Sequence, residues 1–206
     1  MNLQMKSSAT RKGGESAGSF SARSPVPSRS GVGALVVSAL IAAIYAVLSL
    51  ALSFLSFGPV QVRVAEALTL LPVFSPVAIV GVTLGCFVTN LVGFFTGANI
   101  LGPLDMLFGT AATLIAALLS YWLRRLRIRN LAIASAIPPI VVNALVVGAE
   151  LTVLFSGGFP LGVFAVQALQ VGLGQLLSCS LGVYLIWYME RRGLDQKLFG
   201  SNVSSR

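Results

Sequence analysis

The sequence predicts an all-α integral membrane protein of six transmembrane helices with both termini on the cytoplasmic side, and three observations carry that prediction. Of 206 residues, 56% are hydrophobic and 10% charged, whereas roughly a quarter of the residues in a soluble domain are charged. Apolar runs long enough to cross a bilayer recur along the chain, separated by short Gly- and Pro-containing turns. Every basic residue except Arg63 falls into one of three patches: Lys6, Arg11, Lys12, Arg23 and Arg29; Arg124, Arg125, Arg127 and Arg129; and Arg191, Arg192, Lys197 and Arg206. The positive-inside rule places all three patches in the cytoplasm, so an even number of spans separates each pair. Arg63 is left either on the outer face or inside the bundle. The net charge of +8 is therefore read as topology and attraction to anionic lipid, not as a nucleic-acid surface.

Residues 1–32 are rich in Ser, Gly, Pro and Arg and show no apolar periodicity, which predicts a disordered basic cytoplasmic tail. An organellar transit peptide shares that composition, but a solvated bacterial tail is the simpler reading. The membrane domain spans residues 33–190, and residues 191–206 form a short cytoplasmic C-terminal tail.

Span one runs from Gly33 to Leu55, continuously apolar and longer than the roughly 20 helical residues a hydrocarbon core requires. A Gly-Pro turn over Ser56 to Val64 carries Gln61 and Arg63. Span two begins at Glu66 and is short or broken, because Pro72 and Ser75-Pro76 interrupt it. Span three is Val77 to Phe95, span four Leu104 to Leu123, span five Leu131 to Phe155 and span six Leu161 to Met189. The turns near 56–65, 97–103 and 156–160 then lie outside. Tyr121-Trp122 and Trp187-Tyr188 stand just before arginines, as interfacial anchors do.

Ionisable groups inside spans are the functional signal, since a carboxylate at a span centre costs about 3 kcal/mol on insertion scales. Glu66 lies three residues after Arg63, so a helical start there predicts either an intramolecular ion pair or a ligand site at the outer mouth. Asp105 follows Gly102-Pro103 and is placed to cap span four. Glu150 and Asn143 share one face of span five, Gln167, Gln170, Gly174 and Ser178 fall close to one face of span six with Gln175 turned from it, and Asn90 is a buried amide of span three. Such a constellation of carboxylates and amides suits a flat polar molecule with several N–H donors and carbonyl acceptors. A proton or ion relay would more often use lined acids or histidine, and the chain has no histidine.

Cys86 and Cys179 lie in apolar runs without C-x-x-C spacing, so neither a disulfide framework nor a metal site is predicted, and no cofactor. No phosphate-binding G-x-x-x-x-G-K-[ST] loop and no nucleophile–base pair is visible, so neither ATP hydrolysis nor another catalytic activity is assigned to this chain. In span one, Ala39-x-x-x-Ala43 and Ala42-x-x-x-Ala46 place small residues four apart, for packing within the chain or for docking a membrane partner.

Several stretches together resemble the QueT family of queuosine-precursor transporters. They are Ala39-Leu-Ile-Ala-Ala43-Ile-Tyr45, Ser56-Phe-Gly-Pro59-Val-Gln61-Val-Arg63-Val-Ala-Glu66-Ala-Leu-Thr-Leu-Leu-Pro72, Gly85-Cys86 with Thr89-Asn90, Asp105-Met-Leu-Phe-Gly109-Thr-Ala-Ala-Thr113-Leu, Pro138-Pro139 with Val142-Asn143-Ala144, and Val171-Gly-Leu-Gly174. The likeness covers about residues 35 to 190, in order. It implies a substrate-binding S component of an energy-coupling-factor (ECF) importer in the bacterial cytoplasmic membrane, working with a transmembrane coupling subunit and two ATPase subunits. It implies a 7-deazaguanine base as substrate and docking of the coupling subunit at Ala39, Ala43 and Ala46. The residues then expected around the base are Gln61, Arg63, Glu66, Asn90, Asp105, Asn143, Glu150 and Gln175, with Glu66 the leading carboxylate for a bidentate pair to a guanine-like edge and Glu150 the second. Phe57, Phe94 or Phe159 would stack on the ring. One departure is Gln175, where the resemblance implies a glutamate, and an amide there weakens the case for a cationic precursor. The rivals are an S component for another vitamin, a stand-alone permease, and a structural protein that binds no small molecule.

Overall fold

The structure, a computed structural model, describes residues 31–57 and 62–200. Residues 1–30, Gln61 and Arg206 lie outside the described residues, and with them most of the basic-tail prediction.

In hydrocarbon a chain must satisfy its backbone polar groups internally, and apolar runs of this length do so as helices. Among the described residues, five helices are long and apolar enough to cross a membrane. They are α1 (Gly31–Ala51), α3 (Val77–Phe95), α4 (Pro103–Trp122, continued by a 3₁₀ turn at Leu123–Arg125), α5 (Ile133–Ser156) and α6 (Leu161–Arg192). Two short helices complete the set, α2 (Ser53–Ser56) and α7 (Leu194–Phe199). Span one therefore ends at Ala51 instead of Leu55, because Leu52 leaves the helical conformation at φ −107° and ψ 34°. Span six runs past Met189 to Arg192, where Gly193 stops it in the left-handed conformation.

The predicted short second span is a 3₁₀ helix, Val64–Val73, with Pro72 inside it. At about 2.0 Å per residue such a helix advances further than an α-helix of equal length, so few residues cover much of the bundle's depth. Its residues from Ala65 to Val73 are all buried. Leu70, Leu71 and Val73 form one core with Ile41 and Tyr45 of α1, Val82 of α3 and Ile186 of α6.

Two glycines bring α3 against α1. A methyl group on Gly81 would lie 2.8 Å from Ile41 Cβ, and one on Gly85 would lie 2.7 Å from Tyr45 Cβ. Ser38 Oγ also donates to the Val77 carbonyl at 2.9 Å. Successive contacts climb both helices together, so α1 and α3 run parallel and the 3₁₀ helix between them carries the chain back across the bundle. The remaining neighbours alternate in direction: Ser120 Oγ of α4 donates to the Ser135 carbonyl of α5 at 2.7 Å, and Gly148 of α5 abuts Ala168 of α6 while Gly172 faces Ala144.

One end of the bundle gathers the arginines. Arg127 pairs with Glu190 at 2.8 Å, and the guanidinium carbons of Arg124, Arg191 and Arg192 sit 3.7, 4.3 and 5.5 Å from the ring centroids of Tyr121, Trp187 and Tyr188. Phe74, just after the 3₁₀ helix, stacks on Phe199 of α7 at 5.6 Å between centroids. Of the aromatic residues read as interfacial anchors, Tyr121, Trp187 and Tyr188 are thus ring partners of arginines that follow them, while Trp122 is exposed at 81%.

Candidate functional site

The 3₁₀ helix places its polar groups inside the bundle. Glu66 in its first turn is fully buried, and Arg63 just before it is 4% exposed. The two do not pair with each other. Arg63 Nη2 reaches Asp105 Oδ2 at 2.6 Å, and Glu66 Oε1 accepts from Tyr45 Oη at 2.6 Å. Arg63 precedes the helix with a non-helical backbone (φ −85°, ψ 88°), so its side chain is not held at helical spacing from Glu66. Asp105 makes no cap: the residue at the start of α4 is Gly102, and no side chain caps it. Asp105 Oδ2 instead accepts from both Arg63 and Asn99 Nδ2, the latter at 3.0 Å.

Asn90 of α3 donates through Nδ2 to the Asp105 carbonyl at 2.8 Å. Thr113 Oγ1 lies 3.0 Å from the Gly109 carbonyl, 3.2 Å from Cys86 Sγ and 3.5 Å from Glu66 Oε1. Asp105, Gly109 and Thr113 recur at helical spacing, so one face of α4 joins the Arg63 and Glu66 ends of the network. Gly109 is required there, because a methyl group at that position would fall on Asp105 Oδ1. Phe57 is buried against Gly93, with the Arg63 guanidinium carbon 6.0 Å from its ring centroid.

Four of the predicted residues, Arg63, Glu66, Asn90 and Asp105, therefore converge between the 3₁₀ helix, α3 and α4. Asn143 and Glu150 of α5 and Gln175 of α6 are buried too, at 1%, 8% and 1% exposure. Gln61 lies outside the described residues. Phe94 and Phe159, considered as stacking groups, are exposed at 40% and 52%. Sequence reasoning passed over Tyr45, Asn99 and Thr113 as site residues. A tyrosine in the middle of an otherwise apolar span was the signal that marked Tyr45; nothing in the turn around Asn99 distinguished it.

Buried polar atoms are normally paired, and those that are not call for a reason. Here Glu66 Oε2, Asn90 Oδ1, Asp105 Oδ1, Gln175 Oε1 and both oxygens of Glu150 are buried without a hydrogen-bond partner, as are both side-chain polar atoms of Asn143 and Nε of Arg63. Acceptors predominate. An interior of this kind has the acceptors to match a donor-rich molecule.

The alanines of α1 divide by face. Ala39 and Ala43 are exposed, Ala46 is buried, and the Ala42 carbonyl lies against Gly85. The first small-residue pair thus lies on an exposed face of α1, whereas the second is partly or wholly buried.

A family described as the QueT transporter matches residues 35–191, most of the chain. The chain belongs to the QueT transporter family. A relative, the queuosine precursor transporter QueT of Lactococcus lactis subsp. cremoris, is 37% identical over 75 residues, which is 35% of this chain and 44% of that protein. The similarity to that protein thus spans less than half of its length. No solved structure matches the chain significantly. With five apolar helices and QueT family membership, this is a multi-pass membrane protein of the transporter class.

Proposed function

We propose that this chain is the substrate-binding S component of an ECF importer and that it binds a 7-deazaguanine precursor of queuosine in its polar interior. The observation that carries the reading is Glu66, a fully buried carboxylate with one oxygen held by Tyr45 and the other unpartnered. A guanine-like edge presents an N–H and an amino group side by side, and one carboxylate accepts both as a charge-assisted pair. The name of the Lactococcus relative supports the substrate class.

The topology we propose has six crossings, with the 3₁₀ helix as the second, both termini cytoplasmic and the arginine-bearing end facing the cytoplasm. The parallel course of α1 and α3 supports it, since an even count of crossings requires a return between them. Ala39 and Ala43 present a smooth strip on which the helices of a separate coupling subunit pack closely, and that subunit brings the two ATPases. Substrate enters from outside, near the turn after Phe95 and the turn before Leu161, and ATP turnover in the partners releases it inward.

Calorimetric titration of the purified protein in detergent with 7-deazaguanine precursors, with riboflavin and thiamine as controls, tests the reading. Binding of a deazaguanine and of neither vitamin is expected, with an affinity loss of about tenfold or more in Glu66→Gln. Binding of a control vitamin instead would move the protein to another substrate, and unchanged affinity in Glu66→Gln would remove that residue from the site.

A further inference from the structure

We infer that a groove between the start of α5 and the second half of α6 holds an anionic phospholipid, with one acyl chain along the groove and the phosphate between Arg129 and Arg191. The site is separate from the polar interior, and its occupant is not the transported molecule.

Packing of α5 on α6 makes the groove. Gly148 abuts Ala168 and Gly172 faces Ala144, a register that sets Ile140 level with Leu176 and Ala136 level with Ser180. Those two level pairs line one hollow. Its floor is small, with Ala136 and Cys179 buried, and its rims are bulky, with Ile137 and Leu176 exposed. A second hollow shares Leu131, Ser180 and Val183 with the first and continues it along α6 to Tyr184 and Trp187.

Nothing along this length asks for a hydrogen bond. Ser180 Oγ already donates to the Leu176 carbonyl at 2.7 Å, and no charged side chain lines either hollow. From Leu176 to Trp187 are eleven helical steps, about 16 Å at roughly 1.5 Å each. That is half of the roughly 30 Å hydrocarbon core, the depth that an acyl chain of one leaflet reaches.

Charge selects the head group. Trp187 closes the groove at the arginine-bearing end, and the Arg191 guanidinium carbon lies 4.3 Å from its ring centroid. On the α5 side, Leu131 and Ile128 exchange backbone hydrogen bonds of 3.1 and 3.0 Å, and Arg129 and Asn130 form the tip of the turn between them. Both tip residues have positive φ, 51° and 62°, a conformation that arginine rarely adopts. Arg127 ties this turn to α6 through Glu190 at 2.8 Å, so Arg129 stays beside the end of α6.

The same end is strongly positive, and its acids are engaged or buried. Among the described residues, seven basic side chains from Arg124 to Arg129 and from Arg191 to Lys197 meet two acids, Glu190 bound to Arg127 and Asp195 buried. Neither Arg129 nor Arg191 is ion-paired. A phosphate with a net negative charge answers both, and a zwitterionic lipid, whose own ammonium competes for its phosphate, answers them less well. An anion at the mouth and an alkyl chain in the trough are the two halves of one molecule.

Trp187 is itself the reporter. The chain has two tryptophans, so the full chain carrying Trp122→Phe is placed in phosphatidylcholine nanodiscs and doped with phosphatidylglycerol or phosphatidylcholine brominated near the head-group end of an acyl chain. Phosphatidylglycerol should quench Trp187 at a mole fraction at least about fivefold lower than phosphatidylcholine, because one surface arginine alone contributes about that factor. Arg129→Gln/Arg191→Gln should lose most of this preference, taken as a ratio within one protein so that the altered surroundings of Trp187 cancel. Arg125→Gln/Arg192→Gln removes equal charge away from the groove and should keep the ratio within about twofold of wild type. Ser180→Phe, which fills the trough, should weaken quenching by both lipids, and free glycerophosphate should not compete. Equal quenching by the two lipids in the wild-type groove would overturn the inference and leave the arginines to an acidic segment of a protein partner. Equal loss in the two arginine double variants would overturn it too, by reducing the effect to diffuse attraction, and competition by glycerophosphate would mean an anion site without a lipid. Should the Ser180→Phe protein not fold, the arginine variants, all at exposed positions, decide alone.

Discussion

Arg63 and Asp105 are 42 residues apart in sequence and 2.6 Å apart in space, and the pair ties the entry to the 3₁₀ helix to the first turn of α4. Asn99 donates to the same carboxylate oxygen, so three loops and helix ends converge on one buried atom. A buried ion pair of this kind is weak evidence of net stability, but breaking it strands a charge.

Arg63→Met should therefore lower the unfolding free energy by about 3–5 kcal/mol, because Asp105 is left charged and unpaired in the interior. The double variant Arg63→Met/Asp105→Leu should recover much of that loss, since it removes both charges. Thermal unfolding in detergent measures both. Losses that simply add in the double variant would show that the two residues do not act as a pair.

Gly109→Ala tests the close packing beneath that pair. The added methyl group would fall on Asp105 Oδ1, so the carboxylate must turn away from Arg63, at a cost of about 1–3 kcal/mol. Gly172→Ala is the control, because its methyl group would meet Ala144 Cβ at 3.5 Å, ordinary contact distance. A melting temperature unchanged by Gly109→Ala would mean that Asp105 has room to spare.

The long helices were legible because their signal is local. Val77 to Phe95, read from an apolar run between Ser75-Pro76 and a glycine turn, has those same ends in the structure. The second span announced itself as irregular through Pro72, although its 3₁₀ form was not readable from the sequence. Partners were less legible. Three-residue spacing offered Arg63–Glu66 as an ion pair or as a ligand site, yet Arg63 stands before the helix in non-helical backbone and its ionic partner comes from another span. Asp105 had the position of a cap and was claimed by a tertiary contact instead. Residue type told which groups needed partners, and helix packing decided which partners they found.

Tyr45→Phe removes the donor to Glu66 without changing shape. Glu66 would then keep only the 3.5 Å contact with Thr113 at that oxygen, and stability should fall by about 1–3 kcal/mol. Under the proposed function, deazaguanine affinity should fall too, since Tyr45 orients the carboxylate that receives the base. Loss of stability with full retention of affinity, measured by calorimetry on folded variant, would confine the Tyr45–Glu66 bond to a structural role.

Under the proposed function, the alanines of α1 separate docking from folding in a single helix. Ala39 and Ala43 are exposed, so leucine at both positions should leave melting temperature and ligand affinity within about 0.5 kcal/mol of wild type. If the proposed coupling subunit docks there, uptake in membranes that also contain it and the ATPases should nevertheless be abolished, because bulk on that strip keeps another helix from approaching. Ala46→Leu should behave in the opposite way: its position is buried within the bundle, and overpacking there should cost about 1–3 kcal/mol of stability. Uptake by the Ala39→Leu/Ala43→Leu variant at the wild-type rate would place the partner contact elsewhere on the bundle, while loss of ligand binding in that variant would show that the strip supports the fold.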